Sequence, residues 1–470
     1  MDGPPYNRAM AVTAASPLLV ALCGELPGLR LLTERADTDA YRNDETDFLE
    51  GGWPLAVAFP SSTAEVATIV RLAAAHRVAI VPRGAGTGLS GGATAIDGAL
   101  TVVLRGMDRI LEIDEANLLA IVQPGVLNAD LGRAAAEHGL FYAPDPASFE
   151  ICSIGGNLAE NSGGLRCLKY GVTREAVLAL EVVLADGSVI RTGGKTVKDV
   201  AGYSLTHLFV GSEGTLGIIT EATLRLRPAP PPKLTLLAFF PSVLAAGEAV
   251  SGCTLAGLVP VTLELMDRFT IRAVDAAMHL DLPPDAGAML MIESDLGGAA
   301  AEEELDRAER ACRAAGATSV VRAKDATEAD WLREARRKAH PSLDKLGVAR
   351  MDDVGVPRSR IPELLEAIER IGAEENVHIG VFGHAGDGNL HPTYVVDRDD
   401  RAAIARVERA RRRIYQAALA MGGTTTGEHG TGLAKKDMLE AQRGPDAMRA
   451  MRAIKAALDP LGILNPGKVV

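Results

Sequence analysis

The residues best suited to chemistry lie in one short run, Gly383-His-Ala-Gly-Asp-Gly-Asn-Leu-His391. Apolar stretches flank it, Val377 to Phe382 before and Leu390 to Val396 after, so it reads as two strands joined by a tight turn. Asp387-Gly388 is a strong two-residue turn signal. Centring the turn there sets Gly386 opposite Asn389, Ala385 opposite Leu390 and His384 opposite His391. Directly opposed residues hold their Cβ atoms about 5 Å apart on one face of the ribbon. That separation lets two imidazoles converge on one cation. A lone His is usually a satisfied polar residue, but a pair in register across a turn points to a metal. Gly427-Glu-His-Gly430, in a Gly/Thr loop, offers a carboxylate, Glu428, beside another imidazole, His429. Two His and one carboxylate leave positions open for a substrate, as in catalytic divalent sites. The plainer reading is a polar loop with Glu428 solvated and His429 incidental. Zinc suits the ligand set, and manganese or iron would also bind.

Three glycine-rich segments come earlier. Pro82-Arg-Gly-Ala-Gly-Thr-Gly-Leu-Ser-Gly-Gly92 packs successive backbone N–H groups into turns that form an anion nest. Gly86, Gly88 and Gly91 match GxGxxG, yet a dinucleotide site of that type needs a helix straight after the loop. Here Ala93 to Asp97 leads to a Gly98 turn and a strand. Gly194-Lys195-Thr196 imitates the end of a Walker loop, but the first glycine of that motif would fall at Val189. In Cys152-Ser-Ile-Gly-Gly-Asn-Leu-Ala-Glu-Asn-Ser-Gly-Gly164, Ser153 is placed to cap a short helix, and Asn157 and Asn161, four apart, would share a face. The third segment, Phe209-Val-Gly-Ser-Glu-Gly-Thr-Leu-Gly-Ile-Ile219, is another backbone-exposing turn before a strand.

The elements that position these motifs follow from pattern. Ser16 and Pro17 open a short helix ending near Gly24. Ser62-Thr-Ala-Glu65 is a capping box before an apolar-periodic helix. Strands are expected at Arg77 to Pro82, Leu100 to Leu104 and Leu118 to Val122, then a helix capped by Asn128 and stopped at Gly139. Ala176 to Ala185 turns at Asp186-Gly187 into Ser188 to Thr192. Four prolines between Pro228 and Pro232 mark a boundary. Beyond it strands at Leu234 to Pro241, Val261 to Met266, Ala288 to Glu293 and Thr318 to Arg322 alternate with helices such as Ala299 to Ala315. That alternation fits a ferredoxin-like α+β sheet. A Gly/Thr loop and two helices close the sequence from about Gly422. The domain reading is a helical segment over 1–52, a first domain over 53–228, a second carrying the hairpin over 229–421, and a C-terminal segment over 422–470 that returns to the first.

Taken together, the glycine segments resemble the FAD domain of vanillyl-alcohol-oxidase-type flavoproteins. The resemblance implies that the first loop (Pro82, Arg83, Gly84, Ala85, Gly86, Thr87, Gly88) holds the FAD pyrophosphate. It also implies that Pro144, Asp145, Ser153, Gly155, Gly156, Asn157, Asn161, Gly163, Gly164, Glu213, Gly217, Ile218 and Ile219 contact the cofactor, with Asn465 of Leu464-Asn-Pro-Gly-Lys468 returning to the flavin. Family members with covalent flavin use a His or Cys near these loops. No His occurs in the first loop and Cys152 is the only nearby thiol, so FAD is expected to be non-covalent. The C-terminal half resembles the branch with the glycolate oxidase flavin subunit, FAD-linked D-lactate dehydrogenases and D-2-hydroxyglutarate dehydrogenase. That implies His384, His391 and Glu428 as metal ligands, His429 as the catalytic base, and Arg336, with Arg337 as runner-up, as the anchor of the substrate carboxylate. His340, one turn on, would help shape the pocket. The glutarate-specific members carry a basic residue near Met351-Asp-Asp-Val354 and an Asn where this chain has Thr393. Both departures disfavour a second carboxylate on the substrate. The expected reaction is hydride transfer from the α carbon of D-lactate or glycolate to flavin N5, with an external quinone, cytochrome or electron-transfer protein reoxidising the flavin.

Bulk properties set limits. The 470 residues, 47% hydrophobic with a formal charge of -12, exceed one ordinary core and argue against nucleic acid as a partner. Five Cys without a CxxC argue against a disulfide framework, a zinc knuckle and an iron–sulfur site. The apolar tract Ala9 to Cys23 lacks a basic flank and does not read as a signal peptide, and no stretch reaches membrane-spanning length, so a cytoplasmic protein is expected. A homodimer or a complex with other oxidase subunits is compatible with the sequence. The rival functions are a flavin subunit that only relays electrons or scaffolds a complex, and a metal hydrolase without flavin.

Overall fold

The computed structural model describes residues 16–46 and 49–470. Part of the apolar tract Ala9 to Cys23 lies outside the described residues. Three sheets organise the chain. In the first, Arg30–Leu32 pairs antiparallel with Ala56–Phe59, which runs parallel to Leu100–Val103 and through it to Ile80–Arg83. The helix Thr63–His76 makes the crossover. Ser62 caps it by accepting from the Glu65 amide (3.3 Å), and Arg77 ends it in the left-handed conformation. The Glu65 carboxylate accepts from the Ser61 amide, one residue earlier than a strict capping box requires.

The second sheet is antiparallel, in the order Ile110–Asp114, Leu119–Val122, Ile218–Arg225, Val177–Val183, Val189–Gly193. Its first strand was not expected. Ile110 and Ile113 lie among charged residues, and the pairing carries an irregularity between Ile110 and Glu112 that spoils strict alternation. Asn128 is a correction: it is the first residue of helix Asn128–Glu137, Leu127 occupies the cap, and the Asn128 amide instead donates to Pro144 O (3.2 Å).

The third sheet has eight strands in the order Ser319–Arg322, Leu234–Phe240, Ala288–Ser294, Thr262–Asp267, His378–His384, Asn389–Val396 and Val348–Met351, with Val354–Gly355 also on Asn389–Val396. The four expected strands are all present, and the sheet is wider because the histidine hairpin and its neighbours join it. Helices Val243–Leu255, Gly298–Ala314, Ile361–Glu375 and Arg401–Ala420 cover one face over a large apolar core. The other face holds a smaller core around Phe239, Met266, Met289 and Phe382 under Arg268–Met278, Ala326–Arg337 and Ala339–Asp344. The final helical stretch, Lys436–Leu458, is broken at Gly444, giving the two helices expected.

Two contacts tie the parts. Lys169 and Tyr170, on the short helix Cys167–Tyr170, both bind Asp295, the phenol donating at 2.6 Å, and this carboxylate is 3% exposed. At the C-terminal end the Asn465 amide donates to Gly92 O (2.9 Å) and Glu213 O (2.7 Å), and the buried Lys468 ammonium binds Gly92 O and Thr94 O. Among the described residues no helix is long and apolar enough to cross a membrane. Asn465→Ala leaves the Glu213 carbonyl without its donor and Gly92 O with Lys468 alone, so the urea midpoint is expected to fall by the equivalent of about 1–3 kcal/mol at unchanged m.

Candidate active site

The hairpin does not turn where its sequence suggests. His384 pairs with Asn389 and Phe382 with His391, leaving Ala385 to Gly388 as a four-residue turn. The Gly386 amide is drawn to Leu263 O (2.9 Å) on the adjacent strand, and the Asp387 and Gly388 amides both bond back to His384 O. The shift is two residues, so side-chain parity is kept and the two His occupy diagonal positions on one face, still within reach of each other. Their ring centroids are 5.2 Å apart at 88°.

Glu428 approaches from the Gly/Thr loop. Its Oε1 lies 3.0 Å from His384 Nε2 and 3.2 Å from His391 Nε2. Edges of this size belong to a polyhedron with metal–ligand bonds of roughly 2.0–2.2 Å. The geometry of the three side chains therefore fits a divalent cation. The loop comes this close because residue 163 is glycine: a Cβ there would lie 2.2 Å from Glu428 Oε2.

Glu264 completes the arrangement. The pairing of Leu265 with Gly383, carried one step further, sets Glu264 opposite His384. Its Oε1 is 2.7 Å from His384 Nδ1, its Oε2 is 2.6 Å from Arg336 Nη2, and the residue is 1% exposed. A carboxylate on the far nitrogen fixes ring orientation and leaves Nε2 for the cation. Burial disfavours the imidazolium of His384, but Glu264 and Glu428 outweigh it and hold its pKa well above the ordinary value. For Glu428 burial is likewise outweighed, chiefly by His384, and its carboxyl lies well below the usual range. A bound cation would take the place of the proton these groups share.

His429 stacks on His391 with centroids 5.1 Å apart at 4°. Burial pushes its pKa down to about 4, against the pull of Asp353, so it is neutral near pH 7. Arg336, at the end of helix Ala326–Arg337, is buried and lies 4.8 Å over the Phe382 ring.

All of these side chains except Glu264 and Asp353 line one cleft of about 480 Å³, shared with Pro82 to Gly88, Ser153, Gly155, Gly156, Asn157, Gly163, Glu213 and Gly217 to Ile219. Arg337 and His340 line it too, the latter with Nε2 2.8 Å from Ala349 O. Gly86 takes φ 83, and a Cβ there would lie 2.1 Å from Arg83 Nη2, so the first loop folds tightly over its own arginine. Ser153 caps Ile154–Glu160 as expected, accepting from the Gly156 amide (3.3 Å). The buried Asn157 Nδ2 and Glu160 Oε2 have no partner within the chain, which suits a polar group entering from the cleft.

Five expected cofactor contacts lie behind the cleft wall. Asn161 caps the helix in the left-handed conformation, so it does not share a face with Asn157; its Oδ1 accepts from the Arg174 amide (2.9 Å). Asp145 binds Arg166 at 3.0 Å, Pro144 O accepts from Asn128, and Gly164 packs on the Asp145 carbonyl. Asn465 braces the first loop through Gly92 O. Residues not found from sequence are Glu264, Glu160 and Asp353. The available signal for Glu264 was a carboxylate inside the apolar run Val261 to Met266.

Comparison with known proteins identifies the family. Residues 54–193 match an FAD binding domain, and residues 229–469 match the family described as FAD linked oxidases, C-terminal domain. The chain belongs to the FAD-linked oxidase family. It is 49% identical to the glycolate oxidase subunit GlcD of Bacillus subtilis (strain 168), over 88% of this chain and 89% of that one. It is 34% identical to a D-lactate dehydrogenase of Anaerostipes hadrus, over 99% and 98%. Among solved structures, p-cresol methylhydroxylase with substrate bound superposes with a TM-score of 0.80 at 17% identity, covering 96% of each chain. The 4-ethylphenol oxidase of Gulosibacter chungangensis gives 0.77 at 21%, covering 97% and 98%. The fold is thus that of the vanillyl-alcohol-oxidase-type flavoproteins, and the protein is an FAD-linked oxidoreductase.

The Glu264 bridge yields a test. Glu264→Gln leaves Arg336 a buried cation without its counter-ion, and stability in urea is expected to fall by about 3–5 kcal/mol. Adding Arg336→Met should return part of that loss; an additive further loss would show that the two side chains act independently.

Proposed function

We propose that this protein oxidises a small 2-hydroxy acid, glycolate or D-lactate, to the 2-oxo acid. The observation that carries the reading is the convergence of His384, His391, Glu428, His429 and Arg336 on the cleft that the glycine loops also line. Non-covalent FAD would supply the hydride acceptor, held by the loop Pro82 to Gly88, the helix opened by Ser153, and Glu213 to Ile219. A divalent metal, zinc in the first instance with manganese or iron as alternatives, would be held by His384, His391 and Glu428 and would supply Lewis-acid polarisation of the hydroxyl.

The chain's own groups do the rest. Arg336 offers a planar fork to the substrate carboxylate, and its ion pair with Glu264 fixes where that fork points. His429, neutral and stacked on His391, accepts the hydroxyl proton as the α carbon gives up its hydride. Arg337 and His340, on the same wall, limit substrate size. Thr393 is fully buried and its hydroxyl donates to His391 O, so it offers nothing to a second substrate carboxylate. Reoxidation requires an external quinone, cytochrome or electron-transfer protein. The relation to GlcD, a subunit by name, supports work within a larger complex. A purely scaffolding subunit would have no use for the full set of cleft residues.

Anaerobic mixing tests the reading. The purified protein should be yellow, and glycolate or D-lactate should bleach it. His429→Ala should keep flavin and metal but slow bleaching by about 10²- to 10⁴-fold. Bleaching at the original rate would remove His429 from the reaction, and a colourless protein would remove the reaction altogether.

A further inference from the structure

One buried carboxylate grips the loop that carries Glu428 and His429. Asp353 directly precedes the strand Val354–Gly355 and is 0% exposed. Its Oδ2 accepts from Thr426 Oγ1 (2.8 Å) and from the amides of Gly427 (2.8 Å), Glu428 (2.9 Å) and His429 (3.0 Å). The buried Lys435 ammonium stands 3.5 Å from the same oxygen and balances its charge. Asp353 Oδ1 is different. It is buried and has no partner within the chain, and the same holds for His391 Nδ1 and His429 Nδ1. Oδ1 lies 4.0 Å from His391 Nδ1, and one donor atom from each of Asp353, His391 and His429 falls within 4.8 Å of the others. The two imidazoles are stacked nearly parallel, while their Nε2 atoms lie 3.2 and 3.9 Å from Glu428 Oε1 on the cleft side.

We propose that Asp353 is a positioning residue that sets the tautomer of both imidazoles. Each Nδ1 carries the proton and directs it at Asp353 Oδ1, and each Nε2 keeps its lone pair for the cleft. A span of 4.0 Å exceeds a direct hydrogen bond. One bridging water closes it, shared between three groups that otherwise have no partner. A second cation in this spot is disfavoured, because the Lys435 ammonium already stands beside Asp353. One carboxylate thereby does two jobs. Oδ2 holds the loop backbone at the height that brings Glu428 to the histidines. Oδ1 makes His391 a ligand through Nε2 and His429 a proton acceptor through Nε2. With the opposite tautomer, His429 would present an N–H to the substrate hydroxyl and could not take its proton. The inference rests on the reading of the cleft given above, and it adds the group that makes that reading chemically consistent.

Nitrogen NMR tests it in flavin-loaded protein labelled with ¹⁵N-histidine and supplied with zinc. Two-bond correlations distinguish Nδ1–H from Nε2–H rings, and the His429 signal is identified by its loss in His429→Gln. Asp353→Asn retains an oxygen for the backbone amides but turns an NH₂ donor toward the imidazoles. The expected result is an Nδ1–H tautomer for His429 in the parent protein and Nε2–H in Asp353→Asn. Zinc affinity, read by competition with a chromophoric chelator, should fall about 10- to 100-fold in the variant. An Nε2–H ring in the parent, or an unchanged His429 signal in a folded variant, overturns the proposal. If Asp353→Asn does not fold, the parent spectrum alone decides. If the protein takes up none of zinc, manganese and iron, the metal reading of the cleft fails on its own account, and the His429 tautomer is scored in metal-free protein by the same criterion.

Discussion

A buried carboxylate must be shared or it cannot stay charged, and this site is built on that constraint. Glu264 stands in the middle strand of an eight-stranded sheet with essentially no access to water. Its two oxygens touch Arg336 on one side and His384 on the other. Removing two charges from water costs several kcal/mol, recovered only when geometry is good and every oxygen is used. The consequence is positional. Helix Ala326–Arg337 and the histidine hairpin reach the site from different segments, and Glu264 is the common point that sets one against the other. Asp353 plays the corresponding part for the loop of Glu428 and His429, so two anions organise four site residues contributed by three stretches of chain.

Much of this was legible in sequence, and the reasons are physical. A period of two survives a register error of two, so His384 and His391 were placed on one face although the turn was drawn too tight. What sequence pattern could not supply was the competition for Gly386, whose amide is taken by a strand over a hundred residues away. Element-level signals worked where they were local: Ser62 and Ser153 cap their helices, and the alternation after Pro232 gives the strands it promises. They failed where a residue had a better offer elsewhere. Asn128 serves Pro144 and not its own helix end. Asn161 was assigned by helical spacing, but the helix stops one residue short of it. Glu264 and Asp353 were missed because each looks like an ordinary polar position in a strand-rich segment. Their importance comes from what the fold brings beside them.

The glycine loops show a related division of labour. Those facing the cleft expose backbone donors, while the groups behind them, Asp145, Asn161 and Asn465, hold the loops in place through hydrogen bonds that never reach the cleft. The resemblance that marks both sets as one motif does not separate lining from bracing. The structure does, by showing which side chains line the cleft and which lie behind it.

The clasp of Lys169 and Tyr170 on Asp295 bears on how such proteins can be recombined. The contact joins a short helix beside the second glycine segment to the end of a strand in the large sheet. A chimera that took residues 1–228 from one relative and the remainder from another would inherit the clasp only if both parents carried matching partners. A crossover at the proline-rich stretch, the natural place to cut by sequence, therefore divides a closed electrostatic unit, and gene shuffling across it demands co-inheritance of residues on both sides.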